Sequence, residues 1–276
     1  MNKILVPTDF SDNAAQALRY AVMLAKKTGA ELLLLNVYEI YIPVDGEQIL
    51  HDTHEIEEEA KKEQLLAEVK EFIPGDVKYR LFVEPGSPVY KIAQIAEDHN
   101  ADLIVMGIRG CNKLQQIIVG STTTALIRNS KIPVFVIPEN AKIEAPDKIL
   151  FAFDGKEIPA KETMQPLKDI ATIYNAEILA LNVINDLELK LVDKKYIVRQ
   201  IYHALGDANY SVHFEENGDV LQGINNFIDE YDVNAIAMIF KHHSLFNRII
   251  TESRAHKMAF YTQKPLIILH EKEEQK

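Results

Sequence analysis

Three glycines and two hydroxyl side chains in the first half of the chain have the spacing of a phosphate-binding loop. Gly107 and Gly110 are followed, after nine residues, by Gly120, Ser121 and Thr122. The motif begins at the end of an apolar run typical of a buried strand and leads into a helical pattern. Glycines let the backbone approach an anion closely, and a helix N-terminus presents unpaired N–H groups and a positive dipole end. We therefore predict that this segment binds a phosphate group.

Other interpretations of these residues stay open. The motif is neither a Walker A loop, which continues Gly-Lys-Ser/Thr, nor the GxGxxG of dinucleotide-binding folds. The glycines could instead serve turns and helix packing, with Asp9 capping the helix that follows it. Arg109, between the first two glycines, either reaches a phosphate or faces solvent.

Alternating strand and helix patterns surround the motif. KILVPTDF and AELLLLNV are typical of strands, and the segment between them, SDNAAQALRYAVMLAKKTG, has apolar residues at helical spacing and a terminal glycine. A helix is predicted near residues 55–72, and further alternation ends in the strand PVFVIP near Pro138. Runs that are apolar at nearly every position indicate parallel strands covered by helices on both faces. The predicted fold is α/β with a doubly wound parallel sheet.

The second half of the chain repeats this pattern. KILFAFD repeats KILVPTD, AEILALNV repeats AELLLLNV, and the segment from 234 to 253 aligns without a gap with the glycine segment from 102 to 121, although the repeat is shorter in its middle loop. We predict two tandem Rossmann-like domains, residues 1–140 and 147–276, that form a pseudo-dimer through the closing strands PVFVIP and PLIILH.

The second copy of the motif has lost its glycines. The positions of Gly107, Gly110 and Gly120 are occupied by Ile239, His242 and Glu252. A carboxylate near the helix N-terminus favours the helix dipole but repels a phosphate. We predict no phosphate site in this half, where Asp154 persists without its partners and serves as a helix cap.

Composition limits which binding partners and which cellular compartment we expect for the protein. The net charge of −11 argues against nucleic acid, whose binding needs clustered Lys and Arg. The sequence has a single cysteine, Cys111, and neither a signal-peptide pattern nor an apolar run long enough to span a membrane. We expect a cytoplasmic protein that has no membrane partner.

Two histidine clusters raise the question of a metal site. His51 and His54 precede Glu55, and His242 and His243 are adjacent, with His256 further along. HxxHE differs from the HExxH of zinc proteases, and adjacent histidines point in different directions on regular structure. We predict solvated histidines and no bound metal.

The glycine motif and the repeated α/β pattern together resemble the universal stress protein family. Its ATP-binding branch carries G-x2-G-x9-G-[ST], and the resemblance covers nearly the whole chain, twice. It implies an adenine nucleotide alpha hydrolase-like fold, an Asp9 carboxylate that contacts the nucleotide and a Val37 side chain against the adenine. The implied nucleotide-binding residues are Pro7, Thr8, Asp9, Val37, Met106, Gly107, Arg109, Gly110, Gly120, Ser121 and Thr122.

The same resemblance implies an ATP-binding stress-response or regulatory protein that holds nucleotide in its N-terminal half only, with or without Mg²⁺. The alternatives are a weak ATPase and a protein-interaction scaffold that binds no nucleotide. The sequence contains no arranged general base or arginine finger, so any hydrolysis is expected to be slow. An adenine nucleotide is the expected partner, and a homodimer or an unknown protein partner stays open.

Overall fold

The computed structural model describes residues 1–39, 47–108, 121–155, 159–184, 193–240 and 264–271, and only the backbone of residues 47–55 and 121. The strands in these ranges are β1 Lys3–Pro7, β2 Glu31–Tyr38, β3 Tyr79–Pro85, β4 Leu103–Ile108, β5 Val134–Pro138, β6 Lys148–Phe153, β7 Glu177–Ile184, β8 Tyr210–Glu216, β9 Ala235–Phe240 and β10 Leu266–His270. The helices are α1 Asp12–Thr28, α2 Glu47–Phe72, α3 Pro88–Asp98, α4 Ser121–Asn129, α5 Lys161–Tyr174, α6 Lys194–Leu205 and α7 Val220–Tyr231.

All these strands belong to one sheet with the order β3-β2-β1-β4-β5-β10-β9-β6-β7-β8. Each half contributes five strands in the same order, and neighbouring strands within a half are parallel. The chain leaves β1 toward β2 and β3, then returns to the other side of β1 to form β4. This reversal creates a crevice at the carboxyl ends of β1 and β4, where open α/β sheets bind ligands.

Helices cover both faces of the sheet, as the apolar strand runs predict. Buried side chains of α1, α2, α5 and α6 pack with one face in a single core that extends through both halves. Those of α3, α4 and α7 pack with the other face. Alternate strand residues divide between the two cores; Ile4 and Val6 face the first and Leu5 the second.

The halves join through their closing strands. β5 and β10 pair antiparallel, with Phe135 opposite Ile267, which confirms the predicted pairing of PVFVIP with PLIILH. The connection between the halves is also fixed to α1. Gln16 donates a hydrogen bond to the carbonyl of Ala141 at 2.6 Å, and the hydroxyl of Tyr20 donates to the carbonyl of Glu144 at 3.1 Å.

Two element boundaries differ from the sequence prediction. The acidic helix begins at Glu47, eight residues before the predicted start, and no proline or glycine interrupts residues 47–54. The second half is shorter in a helix and not in a loop, since α2 has 26 residues and α6, in the same place of the repeat, has 12. Among the described helices, none is both long and apolar enough to cross a membrane.

Candidate functional site

A pocket of about 480 Å³ opens at the carboxyl ends of β1, β2 and β4. It lies at the crevice where the chain reverses direction in the sheet. The pocket is lined by Pro7, Thr8, Asp9, Ser11, Asn13, Ala14, Leu35, Val37, Pro88, Ile92, Met106, Gly107, Ile108, Thr122 and Thr123.

Seven of the eleven predicted site residues line this pocket: Pro7, Thr8, Asp9, Val37, Met106, Gly107 and Thr122. Ser121 is the first residue of α4, directly before Thr122, and its side chain is outside the described part. Arg109, Gly110 and Gly120 lie outside the described residues, as do Cys111, His242, His243, Glu252 and His256 and the side chains of His51, His54 and Glu55. These seven predicted residues thus share one pocket, although they come from three strands, the loop after β1 and a helix.

The loop between β1 and α1 is held by its own side chains. The Thr8 hydroxyl accepts a hydrogen bond from the Phe10 backbone N–H at 3.0 Å, and Asp9 Oδ1 accepts one from the Ser11 N–H at 3.1 Å. Asn36 on β2 donates to the Thr8 carbonyl at 2.8 Å. Phe10 has a φ of 63°, a conformation that few residues other than glycine adopt and that such a network must enforce. These contacts fix the position from which the exposed Asp9 carboxylate faces the pocket.

Ser11 is the N-cap of α1, which corrects the alternative that Asp9 caps this helix. The Ser11 hydroxyl accepts a hydrogen bond from the Ala14 N–H at 3.3 Å. Asp9 lies two residues further back and forms a side-chain turn instead. In the second half, the N-cap of α5 is Ala160, so the prediction that Asp154 caps a helix is wrong.

Gly107 is required where β4 meets the first turn of α1. A Cβ atom at this position would lie 2.2 Å from the carbonyl oxygen of Asn13 and 3.0 Å from the backbone nitrogen of Ala14. Contacts this short do not occur, so any side chain here must displace the helix. This supports the alternative that the glycine serves helix packing, and the same close approach brings Asn13 to the pocket wall.

The first turns of three helices meet at the pocket. α1 contributes Ser11, Asn13 and Ala14; α3 begins at Pro88; and α4 contributes Thr122 and Thr123. Each helix N-terminus carries a partial positive charge, so the local field favours an anionic group although the whole chain is acidic.

Eight lining residues were not predicted: Ser11, Asn13, Ala14, Leu35, Pro88, Ile92, Ile108 and Thr123. Two of them could have been predicted from their neighbours in the sequence. Leu35 precedes Val37 by two residues, which places both on one face of a strand, and Thr123 adjoins Thr122. Pro88 and Ile92 belong to another α/β unit, and nothing in their local sequence indicates the pocket.

The fold agrees with comparisons to known proteins. The model of the universal stress protein family matches residues 1–138. The chain belongs to the universal stress protein family. It is 33% identical over 144 residues to the universal stress protein MJ0531 of Methanocaldococcus jannaschii, covering 51% of this chain and 84% of that protein. The universal stress protein MJ0577 of the same organism is 32% identical over 151 residues, covering 49% of this chain and 93% of its own length.

A solved structure shows that the tandem arrangement exists in another universal stress protein. The crystal structure of a universal stress protein from Archaeoglobus fulgidus aligns over 97% of both chains with a TM-score of 0.74 and 23% identity. The shared fold therefore extends through both halves.

The second half of this universal stress protein differs at the position of Gly107. Ile239 is the fifth residue of β9, as Gly107 is of β4, and its half-buried side chain packs against the core on the α5 side. The connection from β6 to α5, residues 154–160, is longer than that from β1 to α1, residues 8–11. α5 therefore starts later and leaves room for a side chain where α1 contacts Gly107.

Glu68 on α2 contacts the loop of the candidate site from outside the pocket. The Thr8 hydroxyl donates to Glu68 Oε1 at 3.1 Å, while Glu68 Oε2 is buried without a hydrogen-bond partner among the described residues. Burial raises the pKa of Glu68, the negative charges of Asp9 and Glu71 add to this, and the hydrogen bond from Thr8 opposes it. The pocket loop thus rests on a carboxylate that binds its proton more tightly in the folded protein.

We expect Glu68→Gln to stabilise the protein at neutral pH. A carboxyl group whose pKa is raised by folding favours the folded state below its unfolded pKa, and this contribution is lost as the pH rises through the folded value. Glutamine keeps the acceptor for Thr8 and removes the charge. The thermal midpoint of the variant should therefore exceed that of wild type at pH 7, and the difference should vanish near pH 4.

Glu63→Gln is the matched control, since it removes the same charge from an exposed position on α2. It should change the midpoint little at either pH. A Glu68→Gln protein that is less stable than wild type at pH 7, or a difference independent of pH, would contradict the argument.

Proposed function

We propose that the first half of the chain binds ATP in this pocket and that the protein is a nucleotide-binding regulator. The observation that carries the proposal is a pocket of about 480 Å³ at the reversal point of the sheet, lined by the first turns of α1 and α4 and by apolar residues of β2 and α3. A ligand that fits such a site is anionic at one end and extends over several strands.

The lining residues are ordered as an adenine nucleotide requires. Leu35, Val37, Pro88 and Ile92, from β2 and α3, form an apolar wall suited to a flat base. The hydroxyl residues Thr122 and Thr123, in the first turn of α4, also line the pocket and suit a phosphate. Asp9 and Gly107, at the ends of β1 and β4, and Asn13, in the first turn of α1, line the same pocket. We assign the site to the residues predicted from the glycine motif together with these.

One nucleotide per chain is expected. We propose residues 1–140 as the binding module and residues 147–276 as a degenerate copy, in which Ile239 replaces the first glycine and His242 and Glu252 replace the others. A bulky side chain and a carboxylate at these positions disfavour close approach of a phosphate.

The contacts of α1 suggest how binding could be communicated. Its first turn lines the pocket, while Gln16 and Tyr20 on the same helix bind the carbonyls of the connection between the halves. A ligand that shifts the first turn acts on this connection through one rigid helix. Regulation by a bound nucleotide therefore needs no efficient hydrolysis, and a slow ATPase would still fit the proposal.

The test is calorimetry with nucleotide-free protein and ATP, with and without Mg²⁺. We expect one site per chain, and Asp9→Ala should weaken binding by about tenfold or more because it removes a charged hydrogen-bonding group. Asp98→Ala, which removes an exposed carboxylate at the other end of the sheet, should bind as wild type does. Two sites per chain would contradict the assignment of the second half.

Gly110→Val tests the glycine motif itself. If the motif contacts phosphate, this variant should lose ATP binding and keep the wild-type unfolding midpoint. Retained affinity would show that the site lies elsewhere, and an absence of binding by wild type at millimolar ATP would overturn the proposal.

A further inference from the structure

Asn13 is a buried polar residue of the pocket that no motif explains. It is the second residue of α1, it is 8% exposed, and it lines the pocket. Its backbone is fixed because its carbonyl faces Gly107, where even a Cβ atom would not fit. The backbone of Asn13 is thus held at the pocket wall by α1 and β4.

The amide oxygen of Asn13 has no hydrogen-bond partner among the described residues. The neighbouring side chains in the loop do have partners, since the side-chain oxygens of Thr8, Asp9 and Ser11 each accept a hydrogen bond from a backbone N–H. A buried acceptor without a donor is unfavourable and rare in folded proteins. The amide can turn about its Cβ–Cγ bond, where the torsional preference is broad, and so present this oxygen to a ligand in the pocket.

The position of Asn13 indicates which part of a nucleotide would supply the donor. A phosphate offers acceptors only, so it cannot satisfy the oxygen. The base belongs on the apolar wall formed by β2 and α3, and the phosphates at the first turn of α4. Asn13 lines the same pocket beside Gly107, at the end of β4, and the sugar is the part of a nucleotide that joins the base to the phosphates.

We propose that Asn13 is a ligand-binding residue whose side-chain oxygen accepts a hydrogen bond from a ribose hydroxyl. This rests on the proposed function, because it assigns a role within the same nucleotide site. This hydrogen bond makes the site selective for ribonucleotides over the deoxyribonucleotide that lacks the hydroxyl.

The experiment is calorimetry of wild type, Asn13→Ala and Asn13→Asp with ATP, 2′-deoxyATP and 3′-deoxyATP. Wild type should bind ATP about three- to tenfold more tightly than one of the two deoxy analogues, the range expected for one hydrogen bond. Asn13→Ala should lose this preference, with weaker ATP binding and unchanged binding of that analogue. Asn13→Asp keeps an acceptor oxygen, so it should keep the preference while binding both ligands less tightly because of its charge.

Asp12→Ala is the control, since Asp12 is exposed, adjacent in α1 and not among the lining residues. It should keep the preference. Because alanine is a strong helix former, Asn13→Ala should keep the fold, and its unfolding midpoint checks this. If Asn13→Ala retains the preference, or weakens all three ligands equally, this inference fails while ATP binding by wild type still supports the proposed function. If wild type binds no nucleotide, both fail.

Discussion

Gly107→Ala should both destabilise the protein and weaken nucleotide binding, although it adds only one methyl group. The new Cβ would lie 2.2 Å from the carbonyl oxygen of Asn13 and 2.5 Å from its carbonyl carbon. Both are backbone atoms, so the clash is relieved only by moving the first turn of α1 away from β4. Overpacking of this kind costs about 1–3 kcal/mol.

The loss of affinity should follow from the same displacement. Ser11, Asn13 and Ala14 line the pocket from the turn that must move, so we expect ATP affinity to fall by about tenfold or more, equivalent to about 1.4 kcal/mol. Chemical unfolding gives the first quantity and calorimetry the second.

Gly75→Ala is a suitable control for this prediction. A Cβ atom at Gly75 meets no heavy atom within 4 Å, and its backbone is not in the left-handed region. This variant should be as stable as wild type or slightly more stable, because alanine restricts the unfolded chain. A Gly107→Ala protein that unfolds like Gly75→Ala would show that α1 does not depend on the glycine.

The sequence predicted the fold class and the pairing of the halves because both depend on patterns that repeat along the chain. Apolar strand runs alternate with amphipathic helices, and each copy ends in a corresponding strand, PVFVIP in the first and PLIILH in the second. The pairing of Phe135 with Ile267 follows from that repeat. The start of α2 was missed by eight residues because Asp52 and Thr53, which are residue types that favour caps over helix interiors, lie within its first two turns.

The candidate site was only partly predictable, for a physical reason. Asp9, Val37 and Gly107 lie at the carboxyl ends of strands, which must meet at one edge of a parallel sheet, so local sequence could place them together. The requirement for glycine at position 107 depends on its distance to Asn13, a contact between segments far apart in the chain. Such packing between elements leaves no local signal, and it is what makes Asn13 and Pro88 part of the pocket.

Phe135→Ala should produce the largest loss of stability, because Phe135 lies where the two halves join. Its side chain is fully buried on β5, which pairs with β4 on one side and with β10 on the other. The ring meets that of Tyr20 on α1 edge to face, with centroids 5.2 Å apart. Removing a buried phenyl ring typically costs 3–5 kcal/mol, since the cavity cannot fully collapse. We expect a loss of about that size in urea unfolding followed by circular dichroism.

Phe214→Ala separates a general effect of losing a phenyl ring from the effect at the junction. Phe214 is half-buried on β8, an edge strand, so its removal should cost clearly less than that of Phe135. Phe135 also packs on the Tyr20 whose hydroxyl binds the carbonyl of Glu144 between the halves, so its loss weakens strand pairing and this connection together. Both halves should then unfold at lower urea in the Phe135→Ala protein. A change confined to the first half, with the second unfolding at its wild-type midpoint, would show that the continuous sheet does not couple the two modules.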